Sequence, residues 1–262
     1  MTPAITVIMP HYRCERFLAE AVRSILQQTH QDLRLVVVDD HSSTDEWQRS
    51  LTSFEADTRL AAFTTSARVG PYRIANRILA ETQSTYVGYQ DADDVSHPTR
   101  LERQMALIRD TSADIAGCRF TYIDQDSRPL TSLRWEHALL RHDIRRDKLA
   151  HHPASLVRRH VYDTIGGYDG RTTFGADTEF MLRAGYLFRI RNCQAPLYSV
   201  RLRSDSLTHG PTTGQHSPAR RWYKGELATR TREWDRAACS DSLVARLQGQ
   251  PNDVEFHLTQ VL

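Results

Sequence analysis

Two nearly continuous apolar runs, Ala4-Ile5-Thr6-Val7-Ile8-Met9 and Leu33 to Val38, flank a stretch whose apolar residues recur at helical spacing. Runs rich in β-branched residues, with no polar alternation, suit parallel strands covered on both faces. Pro10 is expected to stop the first run. Phe17, Ala21, Val22, Ile25 and Leu26 place an amphipathic helix over Glu15 to Gln28. Strand, helix and strand within about 35 residues make a βαβ unit with a right-handed crossover. A chain that begins this way is committed to a parallel sheet with helices on both faces.

The following units are weaker. Leu60 to Thr64 reads as a short strand, and Tyr72 to Thr82 as a helix with Pro71 near its start. Tyr86 to Tyr89 reads as a buried strand. Pro98 opens a helix with Leu101, Met105 and Ile108 on one face, and Ile115 to Tyr122 is a further strand. The alternation weakens beyond about residue 130. Gly166-Gly167 reads as a glycine cap ending a helix, and Asp177 to Ala184 as a short helix with acids in its first turn. The tail from His209 has turn residues and then a charged segment with Trp222 and Trp234. It reads as a helix packed back on the domain, with a membrane-surface helix as the alternative.

Composition narrows the class. The chain has 262 residues, 40% hydrophobic and 25% charged, which is ordinary for a globular protein. A net charge of +2 gives no argument for nucleic acid. Cys14, Cys118, Cys193 and Cys239 are isolated, which argues against a disulfide framework or a zinc site and suits a reducing cytoplasm. No apolar run approaches the roughly 18 residues of a membrane span. Met1 leads almost directly into the first strand, so no signal peptide is expected. Basic residues concentrate from Arg134 to Arg159, beside histidines 137, 142, 151, 152 and 160. That segment reads either as a face for a polyanion or membrane, or as a solvated surface.

Chemistry gathers at the strand ends. Pro10-His11-Tyr12 follows the first strand, Asp39-Asp40 the second, and Asp91-Ala92-Asp93-Asp94 the strand Tyr86 to Tyr89, with Asp177 and Glu179 later. In a parallel sheet such ends converge on one edge, where ligands bind. Carboxylates this close repel unless a cation neutralises them, and a divalent ion shared with a diphosphate does so. Tyr12 can stack on a base, Asp40 can accept from a base N–H, Asp93 can hold a metal, and Asp177 can act as a base. Each has a plainer explanation: an acidic surface turn, packing for Tyr12, turn capping for Asp39 and Asp40, an N-cap for Asp177. All would have to hold together.

In order and spacing these segments resemble the family 2 glycosyltransferases. The matching residues are Ile5 to Tyr12, Ala21 to Thr29, Val36 to Asp45, Asn76, Asp91 to Asp94, Pro98 to Leu101, Gly166 to Asp169, Gly175 to Arg183 and Val200 to Ser206. The resemblance implies an α/β GT-A fold: a Rossmann-like, mostly parallel central sheet flanked by helices, with a C-terminal helical tail. It implies a glycosyltransferase domain over residues 1–208, split near 95 into nucleotide-binding and acceptor halves, and an extension over 209–262. Pro10, Tyr12 and Asp40 would surround the base, most often uracil. Asn76 belongs to the matched donor-binding set. Asp91 would reach ribose or metal, Asp93 would ligate Mn2+ or Mg2+, and Asp177 would deprotonate the acceptor. Ala176 stands where the family often has Glu, Ile74-Ala75-Asn76 where it often has Ala-Arg-Asn, and Arg203 where a histidine is common. Arg203 can still contact the diphosphate, and Arg73 or Arg77 can replace the missing arginine.

The implied activity is metal-dependent, inverting transfer from a nucleotide-sugar donor, most often UDP-linked, to a saccharide, lipid-linked or small-molecule hydroxyl. The implied setting is cytoplasmic, with peripheral contact at the inner membrane face as an option and the oligomeric state open. A nucleotidyltransferase would want a glycine-rich loop after the first strand, and a dehydrogenase G-x-G-x-x-G; neither is present. A non-catalytic nucleotide-sugar-binding protein is the remaining alternative. It would be expected to lose the acidic pair or the base, and this chain keeps both.

Overall fold

A computed structural model describes residues 2–131, 149–208, 210, 212–214, 216–238, 242–249 and 255–262. Most of the basic segment that begins at Arg134 lies outside the described residues.

The opening βαβ unit forms as its periodicity requires. Strand β1 (Ile5–His11), helix α1 (Glu15–Leu26) and strand β2 (Leu33–Asp39) are followed by the short helix α2 (Glu46–Arg49) and strand β3 (Leu60–Thr65). β1 and β2 pair in parallel from Ile5↔Leu33 to His11↔Asp39. The strand therefore runs through Pro10 instead of stopping there. Asp40 N–H donates to His11 O and Gln90 N–H to Ile8 O. Odd positions of β1 thus face β2 and even positions face strand β4 (Tyr86–Tyr89). The ladder to β4 ends at Ile8↔Tyr89, so the missing N–H of Pro10 points where no bond was due.

Helix α3 (Pro71–Glu81) joins β3 to β4. Strand β5 (Val95–Ser96), helix α4 (Arg100–Thr111), strand β6 (Ile115–Ile123), strand β7 (Leu156–Arg158), helix α5 (Arg159–Ile165), helix α6 (Ala176–Leu187) and strand β8 (Ile190–Arg201) follow. The tail holds helix α7 (Pro218–Ala237), the short helix α8 (Leu243–Arg246) and strand β9 (Leu258–Gln260). The sheet order is β5-β8-β6-β7-β4-β1-β2-β3-β9. β1–β2, β1–β4, β2–β3 and β6–β8 are parallel and carry the long registers; the antiparallel pairs are short.

Two apolar layers cover the sheet. Ile5, Val7 and Met9 of β1 pack with Leu18, Val22 and Ile25 of α1 and with Leu101 and Ile108 of α4. Ile8 faces the other way, in a layer with Ile74 and Ile78 of α3, Val161 of α5, Phe180 of α6 and Trp234 of α7. The sequence reading missed β8 altogether. Its residues alternate poorly, Pro196 interrupts it, and the register against β6 shifts around Arg119, as a bulge that tolerates proline does. The tail is helical as expected, but it also returns a strand: β9 pairs antiparallel with β3 and closes that edge. No described helix is long and apolar enough to cross a membrane.

Candidate active site

The carboxyl ends of β1, β2 and β4 lie side by side, and the acidic triplet begins where β4 stops. Gln90 is fully buried and shapes the turn: its Nε2 donates to Asp91 O at 3.1 Å and Asp94 O at 3.0 Å, while Ser96 Oγ donates to its Oε1 at 2.7 Å. The three carboxyls then have different fates. Asp94 is buried, and its Oδ1 accepts the Arg201 N–H at 2.7 Å. Burial, with Asp93 and Asp91 nearby, holds it well above the ordinary carboxyl range. Asp93 pairs with Arg203, Nε to Oδ2 2.8 Å. Asp91 is half-buried, and burial followed by Asp93 and Asp177 pushes it up to about 8. No described residue donates to its carboxylate. The Asp91–Asp93 pair is thus short of positive charge, the condition that invites a cation.

Around the end of β1, His11 Nδ1–H donates to Asp39 Oδ1 at 2.9 Å, and Cys14 N–H donates to His11 Nε2 at 3.3 Å, which sets the ring's tautomer. Burial raises Asp39, but the bonds from His11 and Ser42 outweigh it and hold the carboxyl below its usual range. Asp40 accepts Val69 N–H at 2.7 Å and Gly70 N–H at 3.0 Å, and burial still lifts it above the usual range. Both carboxylates therefore tie the loops together, Asp40 by fastening β2 to the N-cap of α3. Pro10 and Tyr12 are half-exposed beside them. The Arg68 guanidinium lies 4.0 Å over the Tyr12 ring, a contact no sequence pattern announced.

Asp177 sits in the first turn of α6, and Tyr72 Oη donates to its Oδ1 at 2.9 Å. Asp177 and Asp91 are close enough for their charges to act on each other. His151 and His152 line the same side, both pushed down to about 4 by burial despite the nearby Asp177. The His151 ring lies 4.3 Å from that of Phe120, tilted by 34°, and His152 shares a 2.6 Å hydrogen bond with Tyr168 Oη. In the sequence these histidines stand out only as part of a basic patch, and no pattern marks Tyr72.

Asn76 stands apart. Its Nδ2 donates to Tyr168 O and its Oδ1 accepts Tyr168 N–H, each at 2.8 Å, so the whole carboxamide is engaged in fastening α3 to that loop. The structure thus brings together Pro10, Tyr12 and Asp40 on one side, and Asp91, Asp93, Asp177 and Arg203 on the other. Asn76 supports the frame from behind.

The tail braces α6. Gly175, its N-cap, has φ +81°, and a Cβ there would lie 2.5 Å from Tyr223 Cε1 of α7. Arg230 of α7 and Arg183 both donate to Glu179 Oε1, and Arg230 also reaches Asp169 at 3.2 Å. No sequence pattern links the tail to this helix.

Residues 6–166 match the model for "Glycosyl transferase family 2". EpsE of Bacillus subtilis (strain 168), named as a glycosyltransferase, is 31% identical over 78% of this chain and 75% of its own length. TuaG of the same organism, named for teichuronic acid biosynthesis, is 28% identical over 59% of this chain, which spans 55% of that relative. Among solved structures, S. aureus TarS residues 1–349 with UDP-GlcNAc superposes with a TM-score of 0.62 at 19% identity, over 78% of this chain and 59% of that one. The mannosyltransferase PcManGT from Pyrobaculum calidifontis, in complex with GDP-Man and Mn2+, gives 0.63 at 17% identity, over 94% and 69%. These likenesses establish a shared fold.

Proposed function

The chain belongs to glycosyl transferase family 2, and from that premise we propose that it moves a sugar from a nucleoside-diphosphate donor to an acceptor hydroxyl with inversion at the anomeric carbon. The observation that carries the reading is the meeting of Asp91 and Asp93, from the end of β4, with Asp177, from the start of α6 and held by Tyr72.

In this reading the donor lies along the carboxyl edge of the sheet, its base against Pro10 and Tyr12 and its diphosphate toward Asp91, Asp93 and Arg203. The donor set fits a hard divalent cation. Among the described residues no group of three His, Cys, Asp or Glu could hold a metal alone. Such ions commonly use one or two carboxylates and take remaining ligands from substrate phosphates and water. A Mn2+ or Mg2+ bound there would neutralise charge on the departing diphosphate. Asp177 takes the proton of the acceptor hydroxyl as that oxygen bonds to the anomeric carbon. The bond from that carbon to the diphosphate breaks on the opposite face, and its electron pair leaves with the nucleotide. Tyr72 keeps the Asp177 carboxylate aimed, as positioning requires.

The donor complexes of the two structural neighbours support a nucleotide sugar, and the teichuronic acid biosynthesis for which TuaG is named supports a saccharide acceptor. A uridine donor and a cytoplasmic setting belong to this proposal. So does its division of labour: residues 1–95 for the donor, 96–208 for the acceptor, and 209–262 as a brace behind Asp177.

Calorimetric titration of UDP, GDP and dTDP, each with and without Mn2+, on wild type and Asp93→Ala tests it. Metal-dependent binding of one nucleotide, lost in the variant, is expected; no binding of any would refute the donor site. A donor screen then follows with Asp177→Asn. That variant is expected to keep nucleotide affinity while losing turnover by at least about a hundredfold. Undiminished turnover would remove Asp177 from its role.

A further inference from the structure

We propose that Arg203 is an exchangeable countercharge: it holds Asp93 while the donor is absent, releases it when a cation arrives, and turns to the diphosphate. The proposal rests on the glycosyltransferase reading for the identity of the diphosphate, and on the following geometry for the exchange.

Two arginines approach the triplet from the end of β8, and they are held very differently. Arg201 is fully engaged. Its Nε donates to Asp93 O at 2.7 Å, its Nη1 to Asp124 O at 2.9 Å and Ser127 Oγ at 3.0 Å, and its Nη2 to Glu20 at 2.6 Å. Its guanidinium is closed off from water. It holds main chain and cannot leave. Among the described residues, Arg203, two residues on, forms ion pairs with two carboxylates. Asp93 lies at 2.8 Å, with the pair's side chains 12% and 17% exposed, and Asp205, 72% exposed, lies at 3.6 Å. No described backbone carbonyl accepts from its guanidinium. Among the described residues it is the one side-chain cation paired with a carboxylate of the triplet.

An ion pair partly shielded from water does not yield a carboxylate freely. A cation binding Asp93 must displace Arg203, which strands a half-buried guanidinium unless an anion replaces Asp93. A diphosphate is that anion, because its oxygens match the planar fork of arginine donors. The cation alone is therefore disfavoured, the nucleotide alone finds Arg203 occupied, and each helps the other. Such coupling is reciprocal by linkage.

The test follows Mn2+ binding by the electron paramagnetic resonance signal of the free ion, with and without UDP, in wild type, Arg203→Met and Arg203→Lys. Methionine keeps the stem against Phe17, which the Arg203 guanidinium carbon overlies at 5.5 Å, and removes the charge; lysine keeps the charge. Thermal melts check that both variants fold. Arg203→Met is expected to bind Mn2+ alone about tenfold more tightly than wild type, roughly 1.4 kcal/mol, while UDP enhances that binding about tenfold less. Arg203→Lys should resemble wild type toward Mn2+ alone. Unchanged or weaker Mn2+ binding by Arg203→Met overturns the exchange, and undiminished UDP coupling overturns the turn to the diphosphate. If wild type binds neither UDP, GDP nor dTDP under any condition, the glycosyltransferase reading fails instead, and the comparison with Mn2+ alone still decides whether Arg203 competes for Asp93.

Discussion

Replacing Arg230 with methionine asks whether the tail braces the helix that carries Asp177. Arg230 is 23% exposed, and its two carboxylate partners, Glu179 and Asp169, are almost wholly buried. In isolation, losing two charge-assisted hydrogen bonds would cost about 3–6 kcal/mol. Neither carboxylate is abandoned, however. Glu179 keeps Arg183 Nε at 2.9 Å, and Asp169 keeps Arg171 at 2.9 and 2.6 Å. The loss should therefore fall below the roughly 3–5 kcal/mol of a fully uncompensated buried charge. Methionine also retains much of the stem. We expect about 2–3 kcal/mol, or a melting temperature lowered by roughly 4–12 °C for a domain of this size. Urea unfolding followed by far-ultraviolet circular dichroism measures it. The buried Trp234, whose ring the Arg230 guanidinium overlies at 5.3 Å, adds a local fluorescence report. A loss below about 0.5 kcal/mol, ordinary for a surface substitution, would show that the tail does not brace α6.

Asn76→Ala removes both bonds to the Tyr168 main chain and should cost about 2 kcal/mol in urea unfolding; loss of nucleotide affinity at unchanged stability would instead return Asn76 to the donor site. His151 and His152 stay neutral in the folded protein down to about pH 4, against an ordinary 6.5. The unfolded chain takes up protons first, so the stability they contribute is present above pH 6.5 and is lost as pH falls toward 4. A His151→Gln, His152→Gln double variant should flatten that limb of the stability profile; an equally steep limb would assign the dependence to other groups. Trp222, 66% exposed on α7, should tolerate serine within about 0.5 kcal/mol in the same assay, and a larger loss would mean that its ring is covered in solution.

The first half of the fold could be read because its signals are local. The β1–α1–β2 unit declares itself through unbroken apolar runs and a helical stripe that buries the predicted residues. β8 could not be read, because its register is set by β6 and a bulge, and Pro196 disguises it. The site divides the same way. Asp91, Asp93 and Asp177 are visible as chemical types at strand and helix ends. What holds them is not: Tyr72 to Asp177 and Arg230 to Glu179 join residues far apart in the chain. Asp40 was legible as a strand-end acid, but its bonds to Val69 and Gly70 exist only once α3 is docked.

The strand returned by the tail bears on how the protein is made. β3 meets β9 from Phe63↔Gln260 to Thr65↔Leu258, and Ala62 exchanges main-chain bonds with Val261 and Leu262. During synthesis β3 leaves the ribosome early, while its outer partner lies far later in the sequence and emerges after it. Until then the nascent sheet carries an unpaired edge of the kind that recruits other chains. The interval between those two events leaves β3 without its outer partner, and removing β9 would make that exposure permanent.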